Sequence, residues 1–284
     1  MARLGLHTFA AAPVWDVDAM RGLLPKLHRH KVRALEIPLL RPQEIDIAAT
    51  RGFFQETGLE PVCSLGLPAS LDVIADPQAG LDFLRPALEV TRAVGASSLS
   101  GVTYGTIGRT TGAPPSDDEL SGTCRFLEQA ARLAATFELR LGIEPCNRYE
   151  THLMNTGAQA RAVCEAVGAD NLYIHLDTYH MNIEEAAFSE GFAACGHWLG
   201  YVHLSESNRG VPGRGTIAWD AVFRALAGTG FGGIVTLESM NHVDPDIASG
   251  LAIWRPVAEP ADDVIDAGLP FLHEQSAAAG FRLD

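Results

Sequence analysis

The sequence predicts an α/β chain folded as a single (β/α)₈ TIM barrel over residues 1–284. Three observations carry this prediction. Short apolar strand-like runs alternate with longer amphipathic stretches along the whole chain. Eight such runs can be marked out, and 284 residues suits one barrel of eight βα units. No G-x-G-x-x-G follows the first run and no G-x-x-x-x-G-K-[ST] occurs anywhere, so the usual nucleotide signatures of an open doubly wound sheet are missing.

The elements follow in order. Arg3 precedes an apolar stretch, as in a leader peptide, but His7 and Thr8 interrupt it, and residues 4–9 read as the first strand. Val17, Met20, Leu23, Leu24 and Leu27 recur at helical spacing, predicting a helix over 17–31 that Asp16 and Asp18 favour at its start. Strands two and three fall at 34–39 and 60–66. Leu84, Leu88 and Val94 mark a helix over 81–94. Strand four, 98–104, leads into a Gly/Pro-rich loop at 110–116, placed where it can form part of a rim or lid. Ser116 with Glu119 three residues on forms a capping box for a helix over 117–137. Strands five to eight fall at 140–144, 172–177, 200–204 and 233–238, with helices at 156–167 and 219–226. Gly58, Gly95, Gly168 and Gly230 stand where helices should end in a left-handed residue.

Composition narrows the function. With 47% hydrophobic and 20% charged residues the chain can bury a large core. A formal net charge of −14 disfavours nucleic acid and anionic membrane surfaces as partners. No apolar run reaches membrane-spanning length. The five cysteines are scattered, with no C-x-x-C pair, so neither a disulfide framework nor a zinc ribbon is expected, and a reducing cytoplasmic setting is the default. Cys146 lies near the expected site, yet it reads first as a buried apolar residue.

Barrel chemistry sits at the C-terminal ends of the strands. Four consecutive strands there deliver Glu144, Asp177, His203 and Glu238, expected at one height of the rim. Taken singly, each has an ordinary explanation as a cap, loop or core residue. Together, three clustered carboxylates would repel one another unless protons or a cation neutralised them. Their mix with one imidazole suits Mn²⁺, Mg²⁺ or Co²⁺ better than thiol-loving metals, with zinc also within reach, and Mn²⁺ is the ion expected here. Glu150, His180 and Arg209 follow these strands in what read as loops facing the entrance, where Arg209 can hold a substrate oxygen. His7 ends strand one and is a further substrate-facing candidate. Glu36 is an orienting candidate, His175 reads as barrel packing, and Phe9 and Trp15 as an apolar wall or core.

The segments I-E-P-C-N-R-Y-E-T-H-L-M-N-T (143–156), H-L-D-T-Y-H-M-N-I-E-E (175–185), H-L-S-E-S-N-R-G (203–210) and L-E-S (237–239) resemble the D-tagatose 3-epimerase family of ketose 3-epimerases, a branch of the xylose-isomerase-like barrels. The resemblance covers nearly the whole chain. It implies that Glu144, Asp177, His203 and Glu238 are the ligands of one divalent metal and that Glu144 and Glu238 also act as acid and base. It implies that Glu150, His180 and Arg209 hold the O1–O3 region of a ketose, and that the chain is a homodimer or homotetramer. One departure stands out: the family commonly carries His immediately before this Arg, and this chain has Asn208.

The implied chemistry is inversion at C3 of a free ketose such as D-tagatose, D-fructose/D-allulose or L-ribulose, through an enediolate, with two glutamates moving the proton. Rival readings keep the barrel and change the reaction: an aldose–ketose or hydroxypyruvate-type isomerase, an inosose-type polyol dehydratase, a DNA-repair endonuclease disfavoured by the charge, or a non-catalytic sugar-binding barrel.

Overall fold

The structure, a computed structural model, describes the backbone of residues 1–284 and every side chain except that of Asp246. Eight parallel strands close into a barrel in sequence order: β1 (Arg3–His7), β2 (Ala34–Pro38), β3 (Glu60–Leu67), β4 (Ser98–Thr106), β5 (Arg140–Ile143), β6 (Leu172–Asp177), β7 (Leu199–Ser205) and β8 (Ile234–Glu238). The ring is sealed by β1 on β8, Leu6 opposite Leu237. Every run read as a strand is one.

The helices fill the intervals: α1 (Val17–Arg29), α2 (Ile47–Thr57), α3 (Pro77–Val94), α4 (Asp117–Thr136), α5 (Gly157–Val167), α6 (Thr178–Glu184), α7 (Phe188–Cys195), α8 (Trp219–Thr229), α9 (Pro245–Ala248), α10 (Asp263–Asp266) and α11 (Gly268–Ala278). The capping box on α4 forms as expected, Ser116 and Glu119 each satisfying the other's backbone N–H. The helix-ending glycines adopt left-handed geometry, φ 69° at Gly58 and 95° at Gly95, where a Cβ would be strained. No helix among the described residues is long and apolar enough to cross a membrane.

Strand alternation decides what reaches the barrel interior. Leu172, Ile174 and Leu176 on β6, Val202 and Leu204 on β7, and Val235 and Leu237 on β8 join the large core that includes the helices. Their alternates point the other way. Ala34, Val62, Tyr173, Tyr201 and Ile234 form a separate buried cluster inside the ring. Two residues further along these strands come Glu36, Ser64, His175, His203 and Thr236, and two further again on β6, β7 and β8 come Asp177, Ser205 and Glu238. The interior therefore grades from apolar to ionisable toward the C-terminal rim.

The register corrects the expectation of one common height. Asp177 lies opposite His203, but His203 lies opposite Thr236, and Glu238 opposite Ser205. A closed barrel staggers its strands, so residues that meet at one point do not share a rung.

Candidate metal centre and active site

His203 is the centre of the cluster. It is 2% exposed, and its Nε2 lies 2.7 Å from Glu36 Oε2. Tyr201 also donates to Glu36 Oε2, at 2.6 Å. Having one hydroxyl hydrogen, Tyr201 must then accept from Thr236, 2.6 Å away. Glu36 thus claims the Nε2 proton of His203 and turns Nδ1 toward the rim, the arrangement by which a carboxylate orients a metal-ligating imidazole.

Around Nδ1 stand Glu238 Oε1 at 3.3 Å, Glu144 Oε1 at 4.0 Å and Asp177 Oδ2 at 4.0 Å. All three carboxylates are buried, yet Nδ1 makes no hydrogen bond within the protein. A buried polar atom without a partner, facing three carboxylate oxygens, is the donor set of a divalent cation. One proton on Nδ1 can pair with one oxygen, whereas a divalent ion can take all four donors. The residues therefore fit the metal, and Asp177, His203 and Glu238 alone already bring three donor atoms within coordinating reach of one another.

The electrostatics agree. Burial, then the neighbouring Glu238 and Asp177, raise Glu144 well above the usual carboxylate range. Burial and Glu238 push Asp177 up to about 7. Burial also opposes ionisation of Glu238, but the charges of His203, Arg209 and His7 outweigh it and hold this carboxylate low. Burial opposes protonation of His203, and Glu36 and Glu238 overcome that, raising it well above 6.5. The metal-free cluster thus holds protons that a cation would displace. Ser205 shares its hydroxyl between Asp177 Oδ2 (3.0 Å) and Glu238 Oε2 (3.1 Å), stapling two of the carboxylates.

The substrate-facing candidates adjoin this cluster. Arg209 Nη1 donates to Glu238 Oε2 at 2.8 Å, and Nη2 reaches Glu150 Oε1 at 3.5 Å. Its guanidinium lies over the Tyr179 ring, 4.1 Å from the centroid. Arg209 has φ 56°, and its carbonyl accepts from Met240 N–H and Ser239 Oγ. The loop is fixed by Glu206, fully buried, whose carboxylate accepts from the N–H groups of Ser207, Gly213 and Ile217 and from the Trp219 indole. Asn208 is exposed and bends back to accept from Gly210 N–H, so it shapes the turn beside Arg209 without adding a group to the cluster.

His180 sits in α6, one turn past Asp177, rather than in a loop. Asp177 caps that helix through Tyr179 N–H, so the same residue starts the helix and faces the cluster. His180 Nε2 lies 3.9 Å from Glu144 Oε1, and burial lowers its pKa to about 4 despite Glu150. His7 is buried and turned sideways: Nδ1 accepts from Phe9 N–H, and Nε2 lies 3.5 Å from Glu36 Oε1. His175 stacks edge-on against His203, with ring centroids 4.1 Å apart, and its Nδ1 is 3.1 Å from Ser100 Oγ and 3.6 Å from Glu144 Oε2. Cys146 is buried, and burial pushes its thiol well up, which fits the apolar reading.

The cluster and the loops that support it also contain residues absent from the sequence expectations: Ser205, Tyr201, Thr236, Glu206 and Asn147. Alternation could have found Tyr201 and Thr236, since each is a polar-capable residue two positions before a proposed ligand in an apolar strand. A separate groove of about 920 Å³ between α6, α7 and α8 holds none of the proposed site residues.

Comparison with known proteins agrees with this geometry. The xylose isomerase-like TIM barrel family matches residues 24–274. An L-ribulose 3-epimerase of Methylomonas sp. (strain DH-1) is 35% identical over 277 residues, covering 95% of this chain and 96% of its own. A ketose 3-epimerase of Arthrobacter globiformis is 34% identical, covering 89% of each chain. The crystal structure of a D-allulose 3-epimerase from Methylomonas sp. in complex with D-allulose superposes with a TM-score of 0.89 at 35% identity, covering 96% of this chain and 97% of that one.

Proposed function

The chain belongs to the xylose isomerase-like TIM barrel family and, within it, to the ketose 3-epimerases, and from that premise we propose that it is a metal-dependent enzyme inverting C3 of a free ketose. The observation that carries the reading is His203 Nδ1, buried, without a partner and ringed by Glu144, Asp177 and Glu238. In this reading Asp177 and His203 fix the ion, while Glu144 and Glu238 bind it and also move protons. Mn²⁺ is the preferred ion, with Co²⁺ and Mg²⁺ as alternatives, because carboxylate oxygens dominate the donor set. The ion supplies positive charge beside the ketone as its neighbouring carbon gives up a proton.

The remaining steps belong to the protein. One glutamate takes the C3 proton as a carboxylate, and the other, protonated, returns one to the opposite face, so no net proton is consumed. Inversion needs two such groups approaching from different sides. Glu144 follows β5 and Glu238 ends β8, with the ligand-bearing β6 and β7 between them. Arg209, His180 and Glu150 hold the O1–O3 region of the substrate, with His7 on the β1 side. The relatives named for L-ribulose and D-allulose epimerisation support pentuloses and hexuloses as the substrate class.

The five free cysteines support a reducing, cytoplasmic setting. The assembly is proposed to be a homodimer or homotetramer, which sedimentation would read out. A panel of free ketopentoses and ketohexoses tests the function: C3 epimers should form only with metal present. An aldose product from every active ketose would replace this reading with an aldose–ketose isomerase.

A further inference from the structure

We propose that Asn147 is a positioning residue that sets the tautomer of His180 and ties it to Glu150, so that the two are presented to substrate as a fixed donor and a fixed acceptor. The proposal rests on the reading above that both residues face the ketose.

The amide orientation of Asn147 follows from its neighbours. Its Oδ1 accepts from Tyr149 N–H at 3.0 Å, and its Nδ2 lies 3.0 Å from Glu150 Oε1. Exchanging the two atoms would set two donors against each other at Tyr149 and two acceptors against each other at Glu150, so the orientation is determined. The same Nδ2 lies 2.9 Å from His180 Nδ1, and the backbone N–H of Asn147 points at that nitrogen from 3.1 Å. Two donors converge on His180 Nδ1, which must therefore be the unprotonated nitrogen. In the neutral ring the proton is left on Nε2.

That assignment decides what His180 can do. Its Nε2 faces the cluster, 3.9 Å from Glu144 Oε1 and 3.4 Å from Arg209 Nη2. With hydrogens on both, Nε2 and Nη2 do not bond to each other, and both are aimed so that one oxygen acceptor could take a hydrogen from each. With its proton on Nε2 and its one lone pair, on Nδ1, already taken by the Asn147 donors, the ring has none left for a cation, although Glu144, Cys146 and His180 cluster closely enough to suggest a second metal site. His180 is thereby kept as a substrate donor while His203, oriented oppositely by Glu36, keeps its Nδ1 for the ion. Asn147 is 1% exposed, and its carbonyl also accepts from Glu150 N–H at 2.9 Å, so the loop itself is built around the same residue.

The test is ¹⁵N NMR of histidine-labelled protein in the diamagnetic Mg²⁺ form, with His180 assigned through His180→Gln, alongside kinetics of Asn147→Asp and Asn147→Ala. Wild type should show His180 with an unprotonated Nδ1 and a protonated Nε2. Asn147→Asp puts an acceptor where the amide donated, and should move the proton to Nδ1 while kcat/KM for the ketose falls about ten-fold or more. Asn147→Ala keeps the backbone donor, so the tautomer should persist while KM rises through the loosened Glu150. A protonated Nδ1 in wild type, or an Asn147→Asp protein with unchanged tautomer and unchanged KM, overturns the proposal. If Asn147→Asp does not fold, the wild-type spectrum and Asn147→Ala kinetics decide, and unchanged KM in the latter counts against it. Failure of the epimerase reading would show separately, as wild type without C3 exchange whatever the His180 spectrum.

Discussion

Replacing Glu36 with Gln should weaken metal binding without dismantling the barrel. Glu36 is 1% exposed and lies beneath His203, on the side of the ring away from Nδ1. Its Oε2 takes the Nε2 proton of His203 at 2.7 Å and the Tyr201 hydroxyl at 2.6 Å, and its Oε1 lies 3.5 Å from His7. A glutamine of the same shape can keep one oxygen for His203 and Tyr201. Its amide nitrogen then faces His7, and the negative charge that makes Nδ1 a stronger donor is gone. Hydrogen bonds to a charged group contribute about 1.5–3 kcal/mol, and loss of the partner that orients a metal ligand typically costs about 10–100-fold in affinity. Titration of metal-free wild type and Glu36→Gln with Mn²⁺, followed by calorimetry or electron paramagnetic resonance, should show Kd rising by about 10–100-fold. At saturating Mn²⁺ most of kcat should return. An unchanged Kd would refute the argument that Glu36 prepares His203 for the ion, and a kcat that stays lost at saturating metal would place Glu36 in the proton transfers themselves.

Glu144→Gln and Glu238→Gln should each lower kcat by about 10²–10⁴-fold, measured by polarimetry or chromatography of the sugars, with the fold retained by circular dichroism. Chelation should abolish turnover, and Mn²⁺ should restore more of it than Co²⁺ or Mg²⁺ in the same assay. Gly142→Ala would push a methyl between Ser100 Oγ and the Tyr173 ring on the inside of the barrel, and should cost about 1–3 kcal/mol by denaturant unfolding. Glu119 is held at about 2 by the Ser116 backbone N–H, His152 and the Ser116 hydroxyl. Because its folded pKa lies below the unfolded value, the stabilisation is present above about 4.5 and lost as pH falls toward 2. The gap in urea midpoint between wild type and Glu119→Gln should therefore narrow across that range.

The fold was legible because each βα unit carries its own local signals. Apolar strand runs, a capping box at Ser116 and glycines at helix ends are written in neighbouring residues. The helices α6 and α7 were not, since seven and eight residues are too few for a periodicity, and α6 begins on Asp177, whose side chain both caps the helix and faces the metal cluster. Of the site, the strand-end carboxylates and His203 could be read directly, because a barrel puts strand ends on one rim. The stagger that sets Glu238 opposite Ser205 could not, since it arises only when the ring closes. The supporting bonds were hidden for a similar reason. Tyr201 and Glu36 are 165 positions apart in sequence, and Asn147 and His180 are 33 apart. What makes these residues matter is whom they meet, and neither composition nor spacing encodes that. Asn208 shows the reverse case: the residue that departs from the family pattern accepts a hydrogen bond from Gly210 N–H and shapes its own backbone turn.

The deciding measurement is NMR of a free ketose incubated in D₂O with the protein, first stripped of metal and then reloaded with Mn²⁺. The reloaded protein should yield the C3 epimer with deuterium at C3, and the stripped protein should leave the sugar unlabelled. Deuterium confined to C1, with an aldose as product, would contradict C3 proton transfer by Glu144 and Glu238.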